Sequence, residues 1–196
     1  MWTEISIDLY PYSGVARGVA YTREAMKSGP TEKGQRPAFA VEPGPGEESV
    51  WDYPRPPAIE HDGRTVEVRD GTTLIARTTH SRKVMETASP PTFYLPREDV
   101  NFDLLVPVDD QTYCEWKGSA SYWSLKRRPD EPVAWSYERP RSRFDSIRGF
   151  LAFYPGRVDC FLDGEPVHTQ AGRFYGGWIT PEIVGPFKGE PGTGHW

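Results

Sequence analysis

The sequence predicts an all-β fold, mainly antiparallel, and three observations predict it. The 196 residues include 19 Gly and 20 Pro, a share well above ordinary usage yet below the roughly 25–30% of low-complexity chains, so the chain folds and is rich in turns. Four dipeptides, Asp62-Gly63, Asp70-Gly71, Pro155-Gly156 and Asp163-Gly164, are each flanked by strand-favouring residues. Asp-Gly supplies the positive φ of a tight hairpin, and Pro-Gly suits a type II turn. Eight short runs of β-branched and aromatic residues lie between such breakers.

The elements follow in order. In the first 22 residues Ile5, Ile7 and Leu9 alternate on one face of a candidate strand. Between Ser28 and Glu48, Pro30, Gly34, Pro37, Pro43, Gly44, Pro45 and Gly46 exclude a helix or central strand, so residues 1–49 read as an extension and linker. Trp51-Asp52-Tyr53-Pro54-Arg55-Pro56-Pro57 then opens the main domain, residues 50–171, as a stiff extended segment. Its strands are expected over residues 65–68, 72–78, 93–95, 104–108, 119–125, 133–137, 150–154 and 158–162. Residues 81–87 and 97–101 read as short helical turns. Residues 172–196 form a third region, in which Gly and Pro alternate with Phe174, Tyr175, Trp178, Ile179, Ile183, Val184, Phe187 and Trp196. So many large apolar groups are foreign to a disordered tail. This tail is expected to pack on the domain or to clasp a neighbouring subunit.

Composition narrows the function classes. With 23 Lys+Arg against 28 Asp+Glu the formal charge is −5, which argues against general binding to nucleic-acid phosphates. Residues 126–148 hold seven Lys/Arg and four Asp/Glu around Trp135 and Tyr137; they read as a solvated loop. No apolar run approaches the ~18 residues of a membrane span, and no secretory leader opens the sequence, so the expected compartment is the cytoplasm. Two cysteines, Cys114 and Cys160, provide neither a disulfide framework nor a four-cysteine zinc site. The sequence has no Gly-rich dinucleotide or phosphate loop in its required context, no nucleophile elbow and no His-Glu-x-x-His, so no cofactor or metal is expected.

Several ordered segments resemble a bacterial family known only as domain of unknown function 427. They are the stretch Val50 to Pro57, His80-Ser81-Arg82-Lys83-Val84-Met85-Glu86-Thr87, Phe93-Tyr94-Leu95-Pro96-Arg97-Glu98-Asp99-Val100, Cys114-Glu115-Trp116-Lys117-Gly118-Ser119-Ala120-Ser121-Tyr122, Ala134-Trp135-Ser136-Tyr137 and Phe153-Tyr154. The resemblance implies a compact antiparallel β domain of the tent-like type, related in shape to small zinc-binding β folds, and no established reaction. Glu115 stands where members usually carry Pro. The paired cysteines of the zinc-binding relatives are missing, so a structural zinc is not expected. A nucleotidyl-transfer label carried by some of the family requires a Gly-Ser followed by closely spaced carboxylates to hold Mg²⁺. Gly118-Ser119 is followed by aromatic and basic residues instead, and that chemistry is rejected.

The candidate site rests on four constellations. Trp51-Asp52-Tyr53-Pro54-Arg55-Pro56 and Trp135-Ser136-Tyr137-Glu138-Arg139-Pro140 share the form Trp-x-Tyr-x-Arg-Pro. In extended backbone each would align its aromatics on one face, either as a ligand strip or as plugs of the core. His80 with Arg82 and Glu86 offers an imidazole for proton transfer, a cation and an orienting carboxylate; on a helical turn, Arg82 and Glu86 would instead form a local ion pair. In Cys114-Glu115-Trp116-Lys117-Gly118, alternation puts Cys114 with Trp116 and Glu115 with Lys117, unless a bulge at Gly118 turns Lys117 inward. Tyr94 and Arg97 frame a further edge, as hydrogen-bond donor and anion clamp.

The expectation is therefore a concave β face binding a small, flat, anionic molecule. Trp51, Tyr53, Arg82, Tyr94, Arg97, Trp116, Trp135 and Tyr137 would line it. As an enzyme it would use general acid/base chemistry without metal, His80 moving the proton, Glu86 orienting it, and Lys117 with Arg82 stabilising developing negative charge. The alternative is a non-catalytic sensor or peptide-binding module built on the same face.

Overall fold

The computed structural model describes residues 36–172 and 174–196, so the candidate strand near the N-terminus lies outside the described residues. Among the described residues the strands are, in chain order, β1 (Glu48–Ser49), β2 (Ala58–Asp62), β3 (Val66–Asp70), β4 (Thr73–Thr78), β5 (Ser81–Glu86), β6 (Ser89–Leu95), β7 (Leu105–Cys114), β8 (Gly118–Leu125), β9 (Arg128–Ser136), β10 (Leu151–Phe153), β11 (Asp159–Leu162), β12 (Glu165–Pro166), β13 (His168–Thr169), β14 (Trp178–Ile179) and β15 (Ile183–Val184). Among the described residues helical structure is confined to short 3-10 turns such as Arg97–Asp99. No described helix is long and apolar enough to cross a membrane. The fold is all-β and mainly antiparallel, as predicted.

A seven-stranded sheet runs β2-β5-β6-β10-β9-β8-β7, and a four-stranded sheet runs β12-β11-β3-β4. The turn dipeptides divide between two tasks. Asp163 and Gly164, at φ 51° and 85°, close the β11–β12 hairpin with the two positive φ values of a type I′ turn, and Gly71 turns β3 into β4. Asp62-Gly63 and Pro155-Gly156, read from sequence as hairpin turns, instead carry the chain from the larger sheet to the smaller one.

The period of two along each strand sorts side chains onto opposite faces. Phe93 and Leu95 of β6 and Leu151 and Phe153 of β10 turn toward Val66, Val68, Ile75, Cys160 and Leu162 of the smaller sheet, and Trp178 completes this main core. The intervening Tyr94 and Ala152 belong to a second cluster on the opposite face, with Val84, Ala120, Trp135, Tyr137 and Tyr154. Full burial of each large side chain contributes about 1.5–3 kcal/mol, so both faces of the central strands stabilise the fold.

Of residues 81–87, predicted as a helical turn, Ser81–Glu86 form strand β5. Two side-chain ladders explain this: Ser81, Lys83 and Met85 are buried on one face of β5 while Arg82, Val84 and Glu86 point the other way, and β5 pairs on both edges, with β2 and β6. The basic stretch after Lys126 is likewise not all loop, because Arg128–Ser136 forms β9 with Val133, Ala134 and Trp135 buried.

The flanking regions meet each other. β1 pairs in parallel with β15, and Phe39, Trp51, Met85, Ile183 and Trp196 form a third cluster. Trp51 lies 5.0 Å from Phe39 and 5.1 Å from Trp196 between ring centroids, and its indole N–H donates to the Pro186 carbonyl at 3.0 Å. Trp178, Ile183 and Trp196 are thus buried within the chain, while Phe174 stays 65% exposed.

Candidate functional site

The outer face of the larger sheet carries a cross-strand row of partners: His61, Arg82, Tyr94, Ala152, Trp135 and Tyr122. Over the centre of this row lies a cavity of about 190 Å³. Tyr94, Trp135 and Tyr154 provide aromatic walls, with Trp135 4.5 Å from Tyr154 and 6.1 Å from Tyr94. The β7–β8 hairpin brings Cys114 and Lys117 to the cavity, β5 brings Glu86, and the C-terminal segment brings Gln170, Gly176 and Gly177.

Lys117 reaches the cavity because residues 115–117 form the hairpin turn rather than continuing the strand, and Gly118 adopts φ 101°, open only to glycine at low cost. Lys117 and Cys114 therefore share the cavity despite their odd spacing. The Lys117 ammonium is buried and donates to Glu86 Oε2 at 3.3 Å. Burial opposes its charge, but the field of Tyr94, Glu86 and Cys114 outweighs that penalty and holds its pKa above the ordinary lysine value. Burial keeps the Tyr94 phenol neutral near neutral pH, and the Glu86 carboxylate is the ion-pair partner of the ammonium.

The phenols are held in their neutral form. Burial pushes Tyr94 up to about 12 against the partial relief given by Lys117. Tyr137 and Tyr154 are also raised, first by burial and then by neighbouring phenols. Tyr94 accepts a hydrogen bond from the Trp135 indole N–H at 3.1 Å. A hydroxyl has one donor, so the Tyr94 proton remains available for another acceptor.

The structure brings together Glu86, Tyr94, Lys117, Trp135 and Tyr137 of the predicted residues. The others lie elsewhere, for identifiable reasons. Trp51 and Tyr53 belong to the third cluster, with the Tyr53 hydroxyl donating to Glu48 at 2.8 Å, so the two Trp-x-Tyr-x-Arg-Pro stretches do not converge. His80 is exposed beside β5, its ring 6.3 Å from His61. Because β5 is extended, His80 and Glu86 are six residues apart at about 3.3 Å each, too far for one to orient the other. Arg82 and Glu86 are separated for the same reason; Arg82 lies over Phe150 at 6.0 Å and Glu86 pairs with Lys117 instead. Arg97 is exposed and stacks on Phe102 at 3.9 Å. Trp116 packs against the second cluster without lining the cavity. Among the described residues no three His, Cys, Asp or Glu side chains form a group able to hold a metal.

Sequence reasoning missed the contribution of Tyr122, Tyr154, Gln170, Gly176, Gly177 and Lys188. A signal was present in Gly176-Gly177, since adjacent glycines allow a backbone to approach side chains closely. A Cβ at Gly176 would lie 2.4 Å from the Trp135 ring, and one at Gly177 would lie 2.4 Å from Gln170 Oε1.

The family described as "Domain of unknown function (DUF427)" matches residues 58–164. The chain belongs to this family. The DUF427 segment spans β2 to β11 and contributes Glu86, Tyr94, Lys117 and Trp135, whereas Gln170, Gly176, Gly177 and Lys188 lie beyond it. No curated protein matches the chain.

Proposed function

We propose that the cavity on the outer face of the larger sheet binds a small, flat, negatively charged molecule, and that binding rather than proton transfer is its task. One observation carries the reading: a buried ammonium, Lys117, and an available phenolic donor, Tyr94, converge on a cavity walled by Trp135 and Tyr154. Apolar walls with a few convergent polar groups are the usual composition of a small-molecule site.

The acid/base reading has weaker support. A general acid or base works best with a pKa near the operating pH, yet Lys117, Tyr94, Tyr137 and Tyr154 are all held away from neutrality. His80, whose reference pKa would suit the role, does not line the cavity. Groups with fixed protonation recognise a ligand well and relay protons poorly.

The test is untargeted mass spectrometry of small molecules that copurify with the full chain and with Lys117→Met. A flat acidic molecule retained by the first and lost from the second is expected. Equal recovery from both proteins overturns the reading.

A further inference from the structure

Resting on that reading, we propose that the ligand is a monocyclic aromatic carboxylate, its carboxylate on Lys117 Nζ and the Tyr94 hydroxyl and its ring against Trp135 and Tyr154. Size, hydrogen-bond accounting and charge each lead to this class.

Size suits a ligand with a single ring. The cavity is about 190 Å³, and an apolar cavity of about 150 Å³ takes up benzene. A ring with one small substituent is accommodated in this volume, and a nucleoside exceeds it. Gly176 sets the limit on one side, because its backbone already lies against Trp135. The walls are aromatic, with Trp135 and Tyr154 tilted 46° to each other at 4.5 Å, which favours offset or edge contacts with another ring.

Hydrogen-bond accounting requires an acceptor. Several polar groups at the cavity satisfy one another. Gln170 Oε1 accepts from the Gly177 N–H at 3.0 Å and Gln170 Nε2 donates to the Lys188 carbonyl at 2.6 Å; Thr112 and Tyr122 share a hydrogen bond of 2.7 Å. Lys117 carries three N–H donors and uses one on Glu86. The Tyr94 oxygen accepts from Trp135, leaving its own proton to give. Beside the Glu86 carboxylate, the remaining Lys117 N–H groups and the Tyr94 proton are donors, and the group that complements those donors is an acceptor, as an ionised carboxylate is.

Charge limits the ligand to a monoanion. Glu86 lies 3.3 Å from Lys117, so a second negative charge, as on a phosphonate, would face a carboxylate across a short gap. A carboxylate is also coplanar with its ring, whereas a phosphonate is tetrahedral.

The experiment titrates the full chain with benzoate, naphthoate, phenylphosphonate and cyclohexanecarboxylate, following the Trp135 indole N–H resonance assigned through its loss in Trp135→Phe. Benzoate is expected to bind at least about tenfold more tightly than each of the others. Glu86→Gln, which removes the competing charge while keeping an acceptor for Lys117, is expected to tighten benzoate binding by roughly threefold to tenfold. Naphthoate, phenylphosphonate or cyclohexanecarboxylate matching benzoate overturns the ligand class and leaves the anion pocket standing. Weaker benzoate binding by Glu86→Gln overturns Lys117 as the anchor. A resonance unmoved by all four anions overturns the pocket itself.

Discussion

Gly176 lies so close to Trp135 that a Cβ placed on it would come within 2.4 Å of the indole Cη2, 2.7 Å of Cζ3 and 3.1 Å of Tyr154 Cδ1. The backbone of the C-terminal segment is thus part of the cavity, packed at a distance only glycine permits. Gly176→Ala must displace either the indole or the segment. Overpacking of this kind costs about 1–3 kcal/mol, read as a lower denaturant midpoint at unchanged slope, and the Trp135 indole N–H resonance shifts. A variant as stable as the parent with an unmoved resonance contradicts this packing.

The same segment anchors the fold through Trp178, which is fully buried in the main core and donates its indole N–H to the Phe153 carbonyl at 3.1 Å. Trp178→Ala is expected to cost about 3–5 kcal/mol, the range for deleting a large buried aromatic. Phe174 is 65% exposed, so Phe174→Ala is expected to change stability by less than about 0.5 kcal/mol. Chemical denaturation of the two variants side by side measures the contrast, and similar losses would refute the assignment of buried and exposed aromatics.

How much of this was legible in the sequence depends on the range of the forces involved. Turn chemistry is local, so Asp163-Gly164 announces its hairpin. Strand alternation is nearly local, so β4, β8 and β11 were readable from their own residues. Ser81–Glu86 misled because a run of six residues containing Val84 and Met85 fits either period, and only the pairing of β5 with both neighbours decides it. For the cavity, Lys117, Tyr94, Trp135 and Tyr137 were each legible as candidate lining residues, and they do line it together. Their separation from Trp51, Arg97 and His80 was not legible, because it follows from which face of which strand each occupies. The Gly176–Trp135 contact joins a β9 residue to an irregular segment 41 positions later, and nothing in either local sequence states it.

Lys83 and Glu48 join the N-terminal flank to the larger sheet. The Lys83 ammonium donates to both Glu48 oxygens at 2.7 and 2.8 Å, and the Tyr53 hydroxyl donates to the same carboxylate at 2.8 Å. Lys83 is buried while Glu48 remains 43% exposed. Lys83→Met is therefore expected to cost about 1–2 kcal/mol, less than the 3–5 of a fully buried pair, because water still reaches the carboxylate. Tyr53→Phe is expected to cost about 1 kcal/mol. In a double-mutant cycle with Glu48→Gln the losses should be less than additive; full additivity would show that the three groups do not act together.

Alkaline pH should loosen the cavity from within. Burial raises Tyr94 from its ordinary value of 10.0 to about 12, so between these values the folded chain keeps a proton that the unfolded chain releases. The folded state then binds more protons, and stability falls as pH rises. The contribution is fully present below pH 10, declines as pH climbs toward 12, and amounts to about 2–3 kcal/mol over the interval. Tyr137 and Tyr154, also raised by burial, add loss in the same direction. Tyr94→Phe removes one titrating group, while leaving the Trp135 N–H without its acceptor, a cost of about 1–3 kcal/mol near neutrality. The parent should therefore lead this variant at neutral pH and lose that lead as pH rises through 10 toward 12. Denaturant unfolding at several alkaline pH values measures the gap, and a gap that stays constant across them would show that the Tyr94 phenol ionises as freely in the folded chain as in the unfolded one.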